Sequence, residues 1–357
     1  MAYFKHIIFS VLLVFSAMVS FANEPETAVH EEVVTTEVAE AEQVEEKYNP
    51  TPTVLAHVQD AHNFEVFGVA HINLPCIVYN ETDGLQFFMY NSHEPMGAYV
   101  GDHHGGLTRT DGASFLDFSI TKNVFTMLLG ALILIVVLIS VANAYKTNKG
   151  APKGTQSLLE PVFVFLRDDV AKANIGPKYE KFLPYVYTIF FFVLINNILG
   201  LIPVFPGGAN VTGNIAITMV LALIAFVVIN ISGNKDYWAH IFNPDVPFLV
   251  KFILVPVEFL GIFIKPIALM IRLFANIFAG HVIVLSLISL IFVFGNAGKS
   301  VGGSVAGAAI AVPFTLFISV IEVLVAFIQA YIFANLTSVF IGLAVAEHAH
   351  HGEEAHH

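Results

Sequence analysis

The stretch FLPYVYTIFFFVLINNILGLIPVFPGGANVTGNIAITMVLALIAFVVINISGN, residues 182–234, decides the fold because it contains no Asp, Glu, Lys or Arg over 53 residues. A membrane-spanning helix needs about 20 apolar residues, so this stretch is long enough for two. Pro203, Pro206, Gly207 and Gly208 interrupt its centre, and such residues are typical of a turn between helices. We therefore predict a hairpin of two membrane helices.

Three further windows are apolar and nearly free of charge. Residues 123–145 precede the hairpin, and windows centred on 273–298 and 301–346 follow it, joined by a Gly-rich turn around 295–303. The chain has only 12% charged residues, against about 25% in soluble domains, which argues against a soluble single-core enzyme. The predicted fold class is an all-α integral membrane protein with five to six membrane helices and a small β-rich or irregular extramembrane N-terminal region.

The N-terminal part of the chain divides into three segments. Residues 1–22 combine Lys5 and His6 with an apolar run and a small-residue end, which is typical of a signal peptide; an uncleaved membrane anchor is the alternative. Residues 23–50 form an acidic segment that we expect to be disordered, because it offers little apolar surface to bury. Residues 51–118 regain aromatic residues and alternation, so we predict an exported β-rich module or ordered arm.

The rest of the chain follows from the apolar windows and the positions of its Lys and Arg residues. We predict a first transmembrane helix at 119–146 and a cytoplasmic loop at 147–181, within which residues 158–170 form an interfacial helix. A membrane core at 182–346 and a His-rich cytoplasmic tail at 347–357 follow. Cytoplasmic loops are enriched in Lys and Arg. Seven of them lie at the end of the predicted first helix and in the loop that follows: Lys146, Lys149, Lys153, Arg167, Lys172, Lys178 and Lys181. An exported N-terminus and an inside C-terminus are therefore expected.

The net charge of −12 is unevenly distributed along the chain. Residues 1–117 hold 17 acidic and 3 basic residues, whereas residues 118–357 hold 11 and 13. No large basic region is available to neutralise phosphates, so we predict no nucleic-acid partner. The single cysteine, Cys76, allows neither an internal disulfide nor a Cys-based zinc site.

Three ionisable residues lie within the apolar windows: Arg272, His281 and Glu322. A charged side chain at mid-bilayer costs roughly 2.5–3.5 kcal/mol on insertion scales, so such residues are functional candidates. Asn276 and Gln329 are their polar companions. The alternatives are a structural ion pair for Arg272, a core position for His281, and helix-packing hydrogen bonds for Asn276 and Gln329.

Helical spacing indicates which of these residues share a face. Glu258, Lys265 and Arg272 are seven apart and lie on one face if the helix continues through Pro266. Asn276 is one turn beyond Arg272, and Gln329 likewise follows Glu322 by seven residues. His281 lies about half a revolution and ~13 Å from Arg272 along the helix, so the two face different environments. The alternative for Glu258 and Lys265 is a structural pair near the inner interface, in which the two side chains either extend their charged groups to the membrane surface or neutralise each other.

Two motifs carry a family resemblance. The sequence Arg272-Leu273-Phe274-Ala275-Asn276, followed by Ala279-Gly280-His281, and the segment EVLVAFIQAY, which begins at Glu322, resemble subunit a of F-type ATP synthases. The resemblance covers roughly residues 158–346. Within that family, the chain resembles a bacterial member that has an extended N-terminal region. His281 and Glu322 are exchanged relative to many bacterial members, which keeps one acid and one imidazole together.

The resemblance implies a proton-conducting stator with two half-channels, working with a c-ring, peripheral-stalk b subunits, the remaining F1Fo subunits and the lipid bilayer. It implies no catalysis by this chain alone, no cofactor and no metal, and a location in the bacterial inner membrane. Arg272, Asn276, His281, Glu322, Gln329 and Asn197 would carry proton translocation, and Glu258 and Lys265 would line the exit. Gly200 stands where some members of the family carry an Asp. Water or Asn196 is expected to substitute for that carboxylate in this chain.

Other readings find less support in the residues. A secondary ion transporter would also use intramembrane Arg, Glu and His, but commonly shows inverted repeats, and a purely structural membrane subunit would tolerate replacement of Arg272. The segment 295–300, GNAGKS, lacks the Gly that a phosphate loop needs at Val293. The histidines of the tail are typical of a solvated end. The choice between H⁺ and Na⁺ is not encoded in these residues.

Overall fold

The computed structural model describes residues 54, 59–66, 70–92, 94–102, 105–147, 154–202, 205–244, 246–296 and 299–346. The predicted signal peptide, the acidic segment and the His-rich tail lie outside these residues, as do Lys149, Lys153 and Pro203 of the predicted loops.

Seven named helices follow an N-terminal module of short strands. They are α1 (Lys122–Thr147), α2 (Thr155–Phe165), α3 (Tyr179–Leu201), α4 (Ile215–Ser232), α5 (Lys235–Phe242), α6 (Phe248–Phe294) and α7 (Val301–Val345). A π-helical segment, Leu166–Lys172, and two single turns, Ala173–Ile175 and Gly176–Lys178, connect α2 to α3.

Five helical stretches in the described part of the chain are long and apolar enough to cross a membrane: Lys122–Lys146, Thr155–Leu201, Ile215–Ser232, Phe248–Phe294 and Val301–Val345. This confirms the prediction of a mainly helical multi-pass membrane protein. The apolar windows of α6 and α7 are only 11% buried within the chain, against 61% for the stretch that contains α3. The two longest helices therefore present most of their apolar surface to lipid or to partner subunits.

Helix α6 begins well before the apolar window predicted around 273–298. It runs for 47 residues from Phe248 and contains Pro256 and Pro266. The charges of Lys251, Glu258 and Lys265 end the apolar window without ending the helix, because helix continuity depends on backbone hydrogen bonding rather than on hydropathy. Proline is tolerated in membrane helices where neighbouring groups satisfy the freed backbone carbonyls.

Antiparallel strands form the N-terminal module, which comprises the described residues between 59 and 117. The strands are β1 (Asn63–Val66), β2 (Ala70–Asn73), β3 (Pro75–Asn80), β4 (Gly84–Met89), β5 (Tyr99–Gly101), β6 (Leu107–Arg109) and β7 (Leu116–Asp117). They pair as β1–β2, β4–β3–β7 and β5–β6. In β3, Cys76 and Val78 are buried, which matches the alternation expected of a half-buried strand. The predicted small β-rich region is thus present.

His62 joins separate parts of this module. One imidazole nitrogen lies 2.8 Å from the Gly105 carbonyl oxygen, and the other lies 2.8 Å from Oδ2 of Asp117. Burial disfavours the charged imidazole, but the hydrogen bond and the charge of Asp117 outweigh it and raise the pKa of His62. For Asp117, burial opposes ionisation, yet the contact with His62 lowers its pKa. The buried pair therefore ties the start of the module to its last strand.

We expect the stability of the module to fall as the pH rises through the raised pKa of His62. The charged imidazole contributes its full stabilisation below its unfolded pKa of about 6.5, and Asp117 stays ionised over this window. Hydrogen exchange of β3 and β7 amides, corrected for intrinsic rates, should show weaker protection at alkaline pH. His62→Gln should remove this dependence, and equal pH profiles for the two proteins would contradict the role of the pair.

Candidate functional site

The antiparallel helices α6 and α7 bring the polar residues of the two sequence motifs together. Nδ2 of Asn276 donates a hydrogen bond of 2.9 Å to Oε1 of Gln329. About one turn further along α6, the backbone of Gly280 lies against the carboxylate of Glu322. Gln329 and Glu322 of α7 therefore lie opposite the motif at residues 272–281 of α6.

The contact at Gly280 depends on the absence of a side chain. A Cβ atom at this position would lie 2.5 Å from Oε1 of Glu322, a separation at which one of the two groups would have to move. Glycine therefore allows the carboxylate to approach the α6 backbone next to His281.

His281 points toward α3. A Cβ atom built on Gly200 would lie 3.9 Å from Nε2 of His281 and 3.1 Å from the carbonyl oxygen of Ala209. Nε2 is buried and has no hydrogen-bond partner among the described residues. An imidazole nitrogen in this state can accept or donate a proton. Gly200 keeps the space beside it open.

Asn197 lies on α3 and is bound from two sides. Its Nδ2 donates to the carbonyl oxygen of Ala326 over 3.1 Å, and its Oδ1 accepts from the Thr212 hydroxyl over 2.6 Å. Both Asn197 and Thr212 are buried. The sequence reasoning missed Thr212, although its position just beyond the turn of the apolar hairpin, 15 residues after Asn197, could have suggested it.

Asn196 lies four residues, or about one helical turn, before Gly200 on α3, and its substitution for an acid there stays a prediction. Its Nδ2 donates to the carbonyl oxygen of Phe192 over 2.8 Å. Its amide also lies against α1, where a Cβ on Gly130 would be 3.1 Å from Oδ1. Consecutive helical residues point about 100° apart, so Asn196 and Asn197 serve different neighbours.

Arg272 occupies a different surface from His281. Its side chain is exposed on α6, and none of the ion pairs within the described part of the chain involves it. His281 is partly buried against α3. The expectation that the two residues face different environments agrees with this geometry, and the alternative of a structural ion pair for Arg272 finds no support in it.

Glu258 and Lys265 lie nearer the other end of α6. The ammonium of Lys265 lies 5.5 Å from the ring centre of Phe340, and no ion pair between described residues joins it to Glu258. Burial, together with the nearby charge of Glu258, raises the pKa of Tyr237 on α5. The alternative of a neutralising Glu258–Lys265 pair is therefore not supported.

Glu258 and Lys265 are separated along the axis of α6 from the residues around His281. From Glu258 to His281 the chain rises by about 35 Å at ~1.5 Å per residue, which is comparable to the ~30 Å hydrocarbon core of a bilayer. The described residues contain no group of three or more His, Cys, Asp and Glu that could hold a metal ion. The arrangement suits transfer of a small cation through polar groups at two levels.

The comparisons with known proteins agree with the motifs. The family model for the ATP synthase A chain matches residues 124–342, and a model for a domain of unknown function (DUF8433) matches residues 53–115. ATP synthase subunit a of Chlorobium phaeobacteroides is 47% identical over 68% of this chain and 70% of its own length. The subunit a of Myxococcus xanthus is 42% identical over 68% of this chain and 78% of its own. The chain therefore belongs to the ATP synthase A chain family.

Proposed function

We propose that this chain is the proton-conducting stator subunit a of an ATP synthase Fo sector, with two half-channels and an essential arginine that couple proton movement to rotation of a c-ring. The observation that carries the proposal is the placement of Glu322 against the α6 backbone at Gly280 and of His281 beside Gly200, with Arg272 exposed on a separate surface of the same helix. The chain does no nucleotide chemistry in this proposal. It delivers rotation to subunits elsewhere in the complex.

Arg272 separates the two half-channels. Each ring subunit carries a carboxylate that must be neutral while it faces lipid, because an uncompensated charge there is costly. The Arg272 guanidinium stays cationic and favours the ionised form of the carboxylate opposite it. It therefore promotes proton release, and its fixed charge blocks a direct proton path between the half-channels.

The inlet half-channel uses the cluster between α3, α6 and α7. Protons from the exported side pass by Asn197, His281, Glu322 and Gln329 and reprotonate a ring carboxylate. A neighbouring imidazole and carboxylate suit this relay because they can exchange protons near neutral pH. The hydrogen bond from Asn276 holds Gln329 at the end of the path nearest Arg272.

The outlet half-channel lies near Glu258 and Lys265, about a membrane thickness away along α6. A proton leaves there after its ring subunit has turned nearly full circle, driven by ~2.3 kcal/mol per charge per 100 mV. The exposed faces of α6 and α7 are the surface on which the c-ring docks. The proposal places the chain in a bacterial inner membrane with its N-terminus exported and its C-terminus inside, beside peripheral-stalk b subunits.

A secondary ion transporter is the alternative from another class. Transporters of this kind commonly consist of inverted repeats with broken helices at the membrane centre. Among the described residues, the long α6–α7 hairpin has no counterpart in the first half of the chain. The relatives named as ATP synthase subunit a also favour the stator.

We expect Arg272→Ala to abolish coupled ATP synthesis while the complex still assembles, because an exposed side chain contributes little to packing within this chain. ATP synthesis in vesicles that contain the purified complex measures the effect. Lys251→Ala, a change of the same charge near the start of the same helix, is the control and should retain synthesis. Wild-type rates for Arg272→Ala would overturn the assignment.

Glu322→Gln should slow proton uptake from the exported side by about tenfold or more, since general acid–base groups contribute at least this much. Glu258→Gln should affect release to the other side more strongly than uptake. Proton flux into and out of vesicles of each orientation separates the two steps. Equal effects of both variants on both steps would argue against the division into half-channels.

Gly280→Ala should reduce proton flux by about tenfold, because displacement of a reacting group by about 1 Å can cost up to about 10²-fold. The new methyl group would displace the Glu322 carboxylate. Gly261→Ala is a matched control on α6, since a Cβ there meets no atom within 4 Å. An equal loss of proton flux in both variants would show that the flux depends on the glycine content of α6 rather than on the contact between Gly280 and Glu322.

A further inference from the structure

The N-terminal module is attached to the start of α1 by hydrogen bonds. Oδ2 of Asp60 accepts a hydrogen bond of 2.7 Å from the Thr121 hydroxyl, and Oδ1 accepts one of 3.1 Å from the backbone N–H of Asn123. The backbone N–H of Lys122 donates to the Ala61 carbonyl oxygen over 2.8 Å. Backbone N–H groups of the first helical turn have no partner within the helix, so the module satisfies them. These bonds fix the module on the membrane helices.

Phe64 connects the module to the segment between α3 and α4. Its side chain is only 5% exposed and belongs to the same contiguous buried cluster as Ala209 and Val211 of that segment. Its ring lies 5.3 Å from the ring of Phe205 and 5.6 Å from the ring of Phe125 on α1, both in edge-on geometry. Phe125 and Phe205 stack at 5.7 Å. The module therefore supplies one ring of a three-ring contact, and such ring pairs stabilise beyond the area that they bury.

The connection between α3 and α4 borders the residues of the proposed inlet. The carbonyl oxygen of Ala209 and Nε2 of His281 both lie within 4 Å of the point that a Cβ on Gly200 would occupy. Three residues later, the Thr212 hydroxyl donates a hydrogen bond of 2.6 Å to Oδ1 of Asn197. A shift of this connection would therefore change the surroundings of both His281 and Asn197.

Contacts from outside the connection hold its first part. The hydroxyl of Thr126 on α1 donates to the Pro206 carbonyl oxygen over 3.4 Å, which is longer than a strong O–H···O bond. A loop with few interactions of its own is ordered by the groups that pack against it. The ring of Phe64 is such a group, and it comes from the module.

The ring contact joins two segments that match different family models. Phe64 lies within residues 53–115, matched by the model for a domain of unknown function. Phe205, Ala209 and His281 lie within residues 124–342, matched by the ATP synthase A chain model. The contact thus links the inlet to a part of the chain outside the ATP synthase A chain match.

We propose that Phe64 is a positioning residue for proton uptake, which fixes Phe205 and, through the connection, the Ala209 carbonyl beside His281. The inference rests on the proposed function. Proton transfer requires groups that lie within hydrogen-bond reach or are joined by one water. Loss of the ring lets the connection move and slows uptake. The outlet near Glu258 is about a membrane thickness away along α6 and does not depend on this contact.

The test is a double-mutant cycle on the complete complex in vesicles, in which proton uptake from the exported side and release to the other side are measured separately. Phe64→Ala and Phe205→Ala should each slow uptake by about tenfold, because a displacement of about 1 Å can cost up to about 10²-fold. Both should leave release unchanged. The double variant should be no slower than either single variant, since both changes remove the same contact.

Phe88→Ala is the matched control. It removes a ring that stacks on Tyr99 at 5.4 Å within the module, and it should retain uptake. An equal loss of uptake in Phe88→Ala and Phe64→Ala would show that the flux depends on the stability of the module rather than on the contact with Phe205, and would overturn the inference. A smaller amount of assembled complex would reduce uptake and release alike, so a selective loss of uptake supports the positioning role.

Losses that add in the double variant, or equal slowing of uptake and release, overturn the inference. If Phe64→Ala does not assemble, Phe205→Ala decides alone, because the Phe205 side chain is 39% exposed and its loss disturbs packing less. Flux that Arg272→Ala leaves unchanged would overturn the proposed function, and this inference with it. An Arg272-dependent flux with normal uptake in Phe64→Ala overturns only the inference.

Discussion

The close packing of α6 against α7, with the Glu322 carboxylate against the Gly280 backbone and the Gly307 backbone against Ile291, fixes the relation between the two longest helices. A slip of one residue along either helix would move side chains by about 1.5 Å and rotate them by about 100°. Asn276 would then lose Gln329, and His281 would lose its place beside Gly200. Because glycine has no side chain, the carboxylate can lie against the α6 backbone at Gly280. The remaining polar contacts of the cluster depend on this register.

The same register explains why Arg272 and His281 can belong to one helix and serve different surfaces. Nine residues separate them, so one faces out of the bundle while the other faces α3. In the proposed function, His281 transfers protons inside the bundle, whereas Arg272 acts on a partner subunit and must be accessible from outside. A single long helix satisfies both requirements without any flexible segment between them.

The N-terminal module contacts the start of α1 and the connection between α3 and α4. Phe64 packs against Phe205 of the connecting loop, and Asp60 caps α1 beside Lys122. The buried His62–Asp117 pair ties the start of the module to its last strand, which leads directly into α1.

The sequence alone limited the membrane helices to five or six and identified the N-terminal region and the motif residues, because hydrophobic length and local spacing are properties of consecutive residues. The apolar window around 273–298 did not mark the start of α6, since charges such as Glu258 and Lys265 end an apolar window but not a helix. It also missed Thr212 and the hydrogen bonds of Asp60 to the start of α1. Only the tertiary structure decided these points, because they depend on how helices distant in sequence rotate and pack against one another.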